Sequence, residues 1–132
     1  MCHPAWARAR AVARHLDDLA RLRRVRDLID REYARPLDVG ELARRAGMAP
    51  GHLSRAFRLA YGAPPHAYLT ARRVERARTL LHHGDPGDAA LGGLVGLLPP
   101  SAFRARFTEL VGTPPDAYHR AAARRLPGVR GA

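Results

Sequence analysis

Lysine is absent from this 132-residue chain: all 23 basic residues are arginine, and with 12 acidic residues they leave a net charge of +11. A GC-rich coding sequence accounts for choosing arginine over lysine. It does not account for the excess of base over acid, which points to a polyanionic partner. Cysteine is nearly absent as well. Cys2 stands alone, so the chain forms no intrachain disulfide and no multi-cysteine zinc site, and a cytoplasmic setting fits. No apolar run approaches the roughly 20 residues that a membrane span needs. The stretch from Ala5 to Val25 is broken by Arg and Asp where a secretory signal would be continuously apolar. Isoleucine occurs once, β-branched residues are sparse and nothing alternates with period two, which excludes a sheet-based fold and leaves an all-α one. A chain this short buries only about two thirds of the surface its unfolded form exposes, so it makes one domain or two very small ones, without a large substrate cavity.

What the chain does contain is a repeat. Gly-x-Pro-Pro-x-Ala-Tyr occurs at Gly62 to Tyr68 and again at Gly112 to Tyr118, an offset of 50 residues, and each copy follows a short run opened by Phe57 or Phe107. Two copies of one supersecondary unit predict two copies of one binding surface.

Helical signals surround both copies. From Pro4 to Tyr33, Leu16, Leu19, Ala20, Leu22, Val25, Leu28, Ile29 and Tyr33 follow three- and four-residue steps, and the first dozen residues are expected to fray. Arg35-Pro36 ends that helix. Asp38-Val39-Gly40-Glu41 reads as a capping box for a short helix from Val39 to about Ala46. Gly47 suits the left-handed position that follows, and Ala49-Pro50 starts a second helix with proline in its first turn. In that helix Leu53, Ala56, Phe57 and Ala60 make one apolar stripe. Val74, Ala77, Leu80 and Leu81 mark a connecting helix after the first Pro-Pro motif, closed by the turn residues His82 to Asp88. The second unit runs through Leu91, Leu94 and Val95 to Gly96, and its second helix opens at Pro99-Pro100 with Phe103, Phe107 and Leu110 on the buried face. This copy is the weaker one: Gly92 and Gly93 lie inside its leading helix, each costing roughly 0.5–1 kcal/mol against Ala, and no acidic residue completes a capping box there.

Helix, tight turn, helix is the arrangement that sets its second helix in the DNA major groove while the first crosses the backbone. On the outward face of the first such helix stand Gly51, His52, Ser54, Arg55 and Arg58. Arg55 suits a bidentate pair with guanine O6 and N7, Ser54 suits a base edge or a phosphate, and His52 and Arg58 suit the sugar-phosphate flanks. The second helix carries Pro100, Ser101, Arg104, Ala105 and Thr108 on the matching face. The alternative for either face is plain solvation. Adjacent His82 and His83 point to different sides of a helix with no Cys or carboxylate at ligand spacing, so no metal and no cofactor are expected. Gly92-Gly93-Leu94-Val95-Gly96 follows no strand and is not a phosphate loop, the histidines are scattered, and the chain is not expected to be an enzyme.

At Leu42-Ala43, Ala46-Gly47-Met48, Leu53-Ser54-Arg55-Ala56-Phe57, Gly62, Tyr68, Arg73, Ala77 and Leu80-Leu81, and again at Gly96, Ser101, Phe103, Phe107, Gly112, Pro114-Pro115 and Tyr118, the chain resembles the DNA-binding domain of the AraC/XylS family of bacterial transcription regulators. The resemblance covers about Val25 to Arg120. It implies seven helices in two helix-turn-helix subdomains joined by a long helix, with both recognition helices entering successive major-groove segments. It assigns base reading to Gly51, Ser54 and Arg55 in the first unit and to Ser101, Arg104 and Ala105 in the second, and structural roles to Leu53, Phe57, Arg73, Ala77, Phe103 and Phe107. The chain departs from the family pattern at Gly51, at Ala49 in place of a Ser cap, and at Gly92, Leu97 and Ala105. About 24 residues precede the first family helix, which leaves either a stand-alone member or a fragment.

The expected organisation is an N-terminal helical extension at 1–21, a first helix-turn-helix subdomain at 22–67, a connecting helix at 68–83, a second helix-turn-helix subdomain at 84–121 and a basic tail at 122–132. The expected partners are double-stranded DNA and RNA polymerase, with no membrane and a monomeric state, and a cytoplasmic location on nucleoid DNA. Two alternatives stand beside sequence-specific regulation: a nucleic-acid binder of low specificity, and a protein-interaction regulator whose second unit has lost its DNA contact.

Overall fold

The computed structural model describes residues 4–84 and 87–125, apart from the side chains of residues 88 and 89. Cys2, the Asp85-Pro86 turn and residues 126–132 of the expected basic tail lie outside the described residues. Among those described there are seven α-helices and no strand: α1 (Pro4–Glu32), α2 (Val39–Ala46), α3 (Pro50–Tyr61), α4 (Pro65–His83), α5 (Asp88–Val95), α6 (Pro100–Val111) and α7 (Pro115–Arg125). None of them is long and apolar enough to cross a membrane. The chain divides into two compact units, one of Met1–Arg31 with Leu37–Tyr68 and the other of Glu32–Pro36 with Leu69–Ala132.

In the first unit Leu22, Val25, Leu28 and Ile29 of α1, Leu42 and Ala43 of α2, Met48 of the turn, and Leu53 and Phe57 of α3 are all buried. At 1.5 Å per residue α1 is about 44 Å long, whereas α2 and α3 reach only about 12 and 18 Å, so they cover its last turns alone. Leu16, Leu19 and Ala20, expected in the apolar stripe of α1, therefore lie exposed. The helix is nonetheless continuous from Pro4, as its Ala- and Arg-rich composition favours, where fraying was expected.

The turn between α2 and α3 follows from its residues. Asp38 Oδ1 accepts the Glu41 N–H at 2.8 Å, which satisfies one orphan donor of the first turn. Only half of the capping box forms, because the Glu41 carboxylate turns to Arg45, 3.9 Å away. Gly47 then takes the left-handed conformation and its N–H returns to the carbonyls of Ala43 and Arg44.

The second unit repeats this design around Val74, Ala77, Leu81, Leu91, Val95, Leu97, Phe103 and Phe107, with Tyr33, Leu80, Val111 and Tyr118 packed against them. The duplicated motif has duplicated geometry. Gly62 and Gly112 sit at φ +82° and +95°, where a side chain is disfavoured, and their N–H groups close α3 and α6 on Arg58 and Thr108. Pro65 and Pro115 are fully buried. Tyr68 meets Phe57, and Tyr118 meets Phe107, edge to face with centroids 5.6 Å apart in both units. The hydroxyls then diverge: Tyr68 donates to Asp30 at 2.9 Å, whereas Tyr118 lies 2.9 Å from His82 Nε2.

Two apolar positions expected on buried faces, Ala60 on α3 and Leu110 on α6, are exposed, and so is Leu94 on α5. Each loses its place to the next residue, one helical step further round. Tyr61 stacks on Phe57 at 4.7 Å, Val95 is fully buried, and Val111 packs on the second core. The two glycines of α5 also separate. Gly92 is buried beneath its own turn, and a Cβ there would lie 2.5 Å from the Leu97 carbonyl oxygen; at Gly93 a Cβ would meet nothing within 4 Å. Gly92 is thus a close-approach residue that makes room for the Leu97 carbonyl oxygen, beside the bond from Leu97 N–H to the Gly92 carbonyl at 2.7 Å, while Gly93 carries the propensity cost alone.

Arg73 of α4 holds the segment after α1. Its Nε donates to the Tyr33 carbonyl at 2.8 Å and its Nη2 to the Arg35 carbonyl at 2.9 Å, giving partners to two backbone carbonyls of the segment that follows the helix. Burial pushes the guanidinium below the ordinary arginine value.

Candidate nucleic-acid interface

Each unit presents the outward face of its second helix, α3 or α6, and the two helices begin in the same unusual way. Ala49 and Pro99 stand at the N-cap positions, proline opens each helix, neither helix receives a side-chain cap, and neither carries an acidic residue in its first turn. By contrast α2 is capped by Asp38 and has Glu41 in its first turn. An uncapped first turn leaves backbone N–H groups and the positive end of the helix dipole available to an anion such as phosphate.

The face of α3 collects the residues expected from the sequence. Gly51, His52, Arg55 and Arg58 are exposed and Ser54 is half-buried, while Leu53 and Phe57 on the other side are fully buried. Arg55 lies back along the helix toward its N-terminus, as side chains on helices do. A Cβ on Gly51 would come within 3.3 Å of Arg55 Nη1. The bare residue at a position expected to read bases thus makes room for the guanidinium four residues on. His52 is engaged from a direction the sequence does not reveal: its Nε2 lies 2.9 Å from Asp18 Oδ2 of α1. Beside that contact His15, Leu19 and Leu22 of α1 face Ala56, Leu59 and Ala60 of α3 across a groove that also takes in Arg55.

The face of α6 is built from the same positions but holds its groups differently. Pro100, Ser101, Arg104 and Ala105 are exposed, and Thr108 is half-buried with its Oγ1 donating to the Arg104 carbonyl at 2.8 Å. Arg104 Nη2 lies 3.6 Å from Asp116 Oδ1, and Asp116 Oδ2 lies 3.5 Å from Arg120 Nη1. Desolvation pushes the Asp116 carboxyl upward, but the Ala117 N–H, the charge of Arg104, its own N–H and the charge of Arg120 outweigh it and hold the group below the usual aspartate value. Arg106, the other arginine in the middle of the helix, pairs with Glu109 at 2.8 Å. Asp116 was missed among the site residues. The signal was in the repeat, where the variable position holds His66 in one copy and Asp116 in the other.

Among the described residues no group of three or more His, Cys, Asp or Glu side chains is arranged to hold a metal. His82 is engaged by Tyr118.

A family model described as a helix-turn-helix domain matches residues 42–121. The HTH-type transcriptional regulator Rv1931c of Mycobacterium tuberculosis is 35% identical over 85 residues, covering 64% of this chain and 33% of that protein. An AraC-like transcription regulator of Streptomyces lividans is 32% identical over 92 residues, covering 70% of this chain and 30% of that protein. The chain therefore spans about a third of the length of these relatives. Among solved structures, the DNA-binding domain of AdpA, a global transcriptional factor, in complex with a target DNA superposes with a TM-score of 0.77 at 32% identity, over 81% of this chain and 96% of that one. The C-terminal domain of AraT, a response regulator of Geobacillus stearothermophilus, gives 0.73 at 25% identity, over 76% and 84%. Seven helices among the described residues, a duplicated helix-turn-helix scaffold and these matches together place the chain in the AraC-type helix-turn-helix family of transcriptional regulators.

Proposed function

We propose that the chain is a sequence-specific DNA-binding regulator of transcription that offers α3 and α6 to the major groove and reads bases mainly through Arg55. The observation that carries this reading is the pairing of an exposed Arg55, laid over Gly51, with an uncapped, acid-free first turn of the same helix. The turn suits a backbone phosphate and fixes register, while the guanidinium suits the O6 and N7 edge of guanine. The net charge of +11 supplies the sequence-independent part of the affinity. The chain contains no Asn and no Gln, the side chains that pair with adenine N6 and N7 in bidentate fashion, so its direct readout centres on guanine.

In this reading the protein works in the cytoplasm as a monomer with two unequal modules and positions RNA polymerase at the promoter. Ala105 at the place of Arg55 favours a second module that supports binding more than it reads. Arg55→Ala is the direct test. It should cost about 1–3 kcal/mol on a selected site and little on random duplex, measured as a competition ratio at fixed salt. Equal losses on both duplexes would remove base reading by Arg55 and leave a low-specificity binder.

A further inference from the structure

We propose that Asp116 masks the second recognition helix from DNA, so that a single carboxylate decides how far α6 takes part in binding. The inference rests on the reading that α6 faces DNA. Of the five residues expected to meet DNA on α6, Arg104 is the one cation, and its Nη2 lies 3.6 Å from Asp116 Oδ1. Asp116 stands in the first turn of α7, close to backbone N–H groups of that turn, and its other oxygen lies 3.5 Å from Arg120. It therefore sets one negative charge beside the reading face and draws two arginines onto it. Thr108 adds nothing to offset this, because its hydroxyl proton is directed at the Arg104 carbonyl.

The first copy has no carboxylate at the matching place, and the acid that does lie beside α3, Asp18, meets His52. His66 occupies the place of Asp116, and Thr70 the place of Arg120, 50 residues earlier. A phosphate approaching α6 must compete with Asp116 for Arg104 and is also repelled by the carboxylate. Exposed ion pairs of this kind hold weakly, so the mask is shallow and one substitution removes it.

The test uses the full chain and a set of four proteins: wild type, Asp116→Asn, Arg104→Ala and the double variant. Each is titrated with one random-sequence duplex of about three helical turns at several salt concentrations. Asp116→Asn should bind about three- to fivefold tighter than wild type, with a log–log salt slope steeper by about 0.9 for one more phosphate neutralised. Arg104→Ala should change wild-type affinity by less than about twofold, and should cancel the gain when added to Asp116→Asn. A gain that survives loss of Arg104 would mean a uniform charge effect and overturn the mask, as would no gain at all. Wild-type protein that binds no duplex would overturn the DNA-binding reading and the mask together, an outcome distinct from binding without a gain.

Discussion

The two adjacent glycines of α5 predict opposite responses to one methyl group. Gly93→Ala adds a Cβ to an exposed position with nothing within 4 Å, so only helix propensity and unfolded-chain entropy change, and stability should rise by about 0.5–1 kcal/mol. Gly92→Ala receives the same gain, but its Cβ would stand 2.5 Å from the Leu97 carbonyl oxygen and 3.4 Å from Phe103 Cβ. The oxygen belongs to backbone in the turn that Gly92 itself closes, so relief requires moving the turn that aims α6. Overpacking of that kind costs about 1–3 kcal/mol. Because propensity cancels between the two variants, the difference between them isolates the strain at about 1–3 kcal/mol. Thermal unfolding followed by circular dichroism reads it directly. Each kcal/mol moves the midpoint by about 4–8 °C in a unit of under 100 residues. Gly92→Ala as stable as Gly93→Ala would refute the claim that Gly92 is required by the turn and restore it to a mere weakness of the helix.

Two further substitutions probe the first unit. Asp38→Ala removes the acceptor for the Glu41 N–H and should cost about 1 kcal/mol in urea unfolding without changing contacts on the α3 face. Gly51→Ala brings a Cβ to 3.3 Å from the flexible end of Arg55; unfolding stability should hold or rise slightly, while competition on a selected duplex should show specific affinity falling about two- to tenfold.

The scaffold was legible in the sequence because proline and glycine mark its boundaries. Ala49-Pro50, Gly62 and Gly112 each fall where a helix ends or begins, whereas Arg35-Pro36 stands beyond the end of α1, which stops at Glu32. Less was legible inside the helices of the small cores. Ala60 against Tyr61, Leu94 against Val95 and Leu110 against Val111 are each apolar neighbours, and only the direction from which the rest of the unit packs selects the second of each pair. The site divides the same way. Arg55, His52 and Arg58 could be placed on one face by counting, whereas Asp18 meeting His52 spans 34 residues and Asp116 meeting Arg104 spans 12, and no local pattern signals either. The departure from the family pattern at Gly51 has a use that only the position of the Arg55 guanidinium reveals.

Selection of bound duplexes from a random pool, run in parallel with wild type and Arg55→Ala, bears most directly on sequence reading by the first unit. Wild type should enrich one dominant motif that contains a guanine, and Arg55→Ala should lose the preference at that guanine while still retaining DNA at low salt. No enriched motif, or the same motif recovered unchanged by Arg55→Ala, would contradict the account.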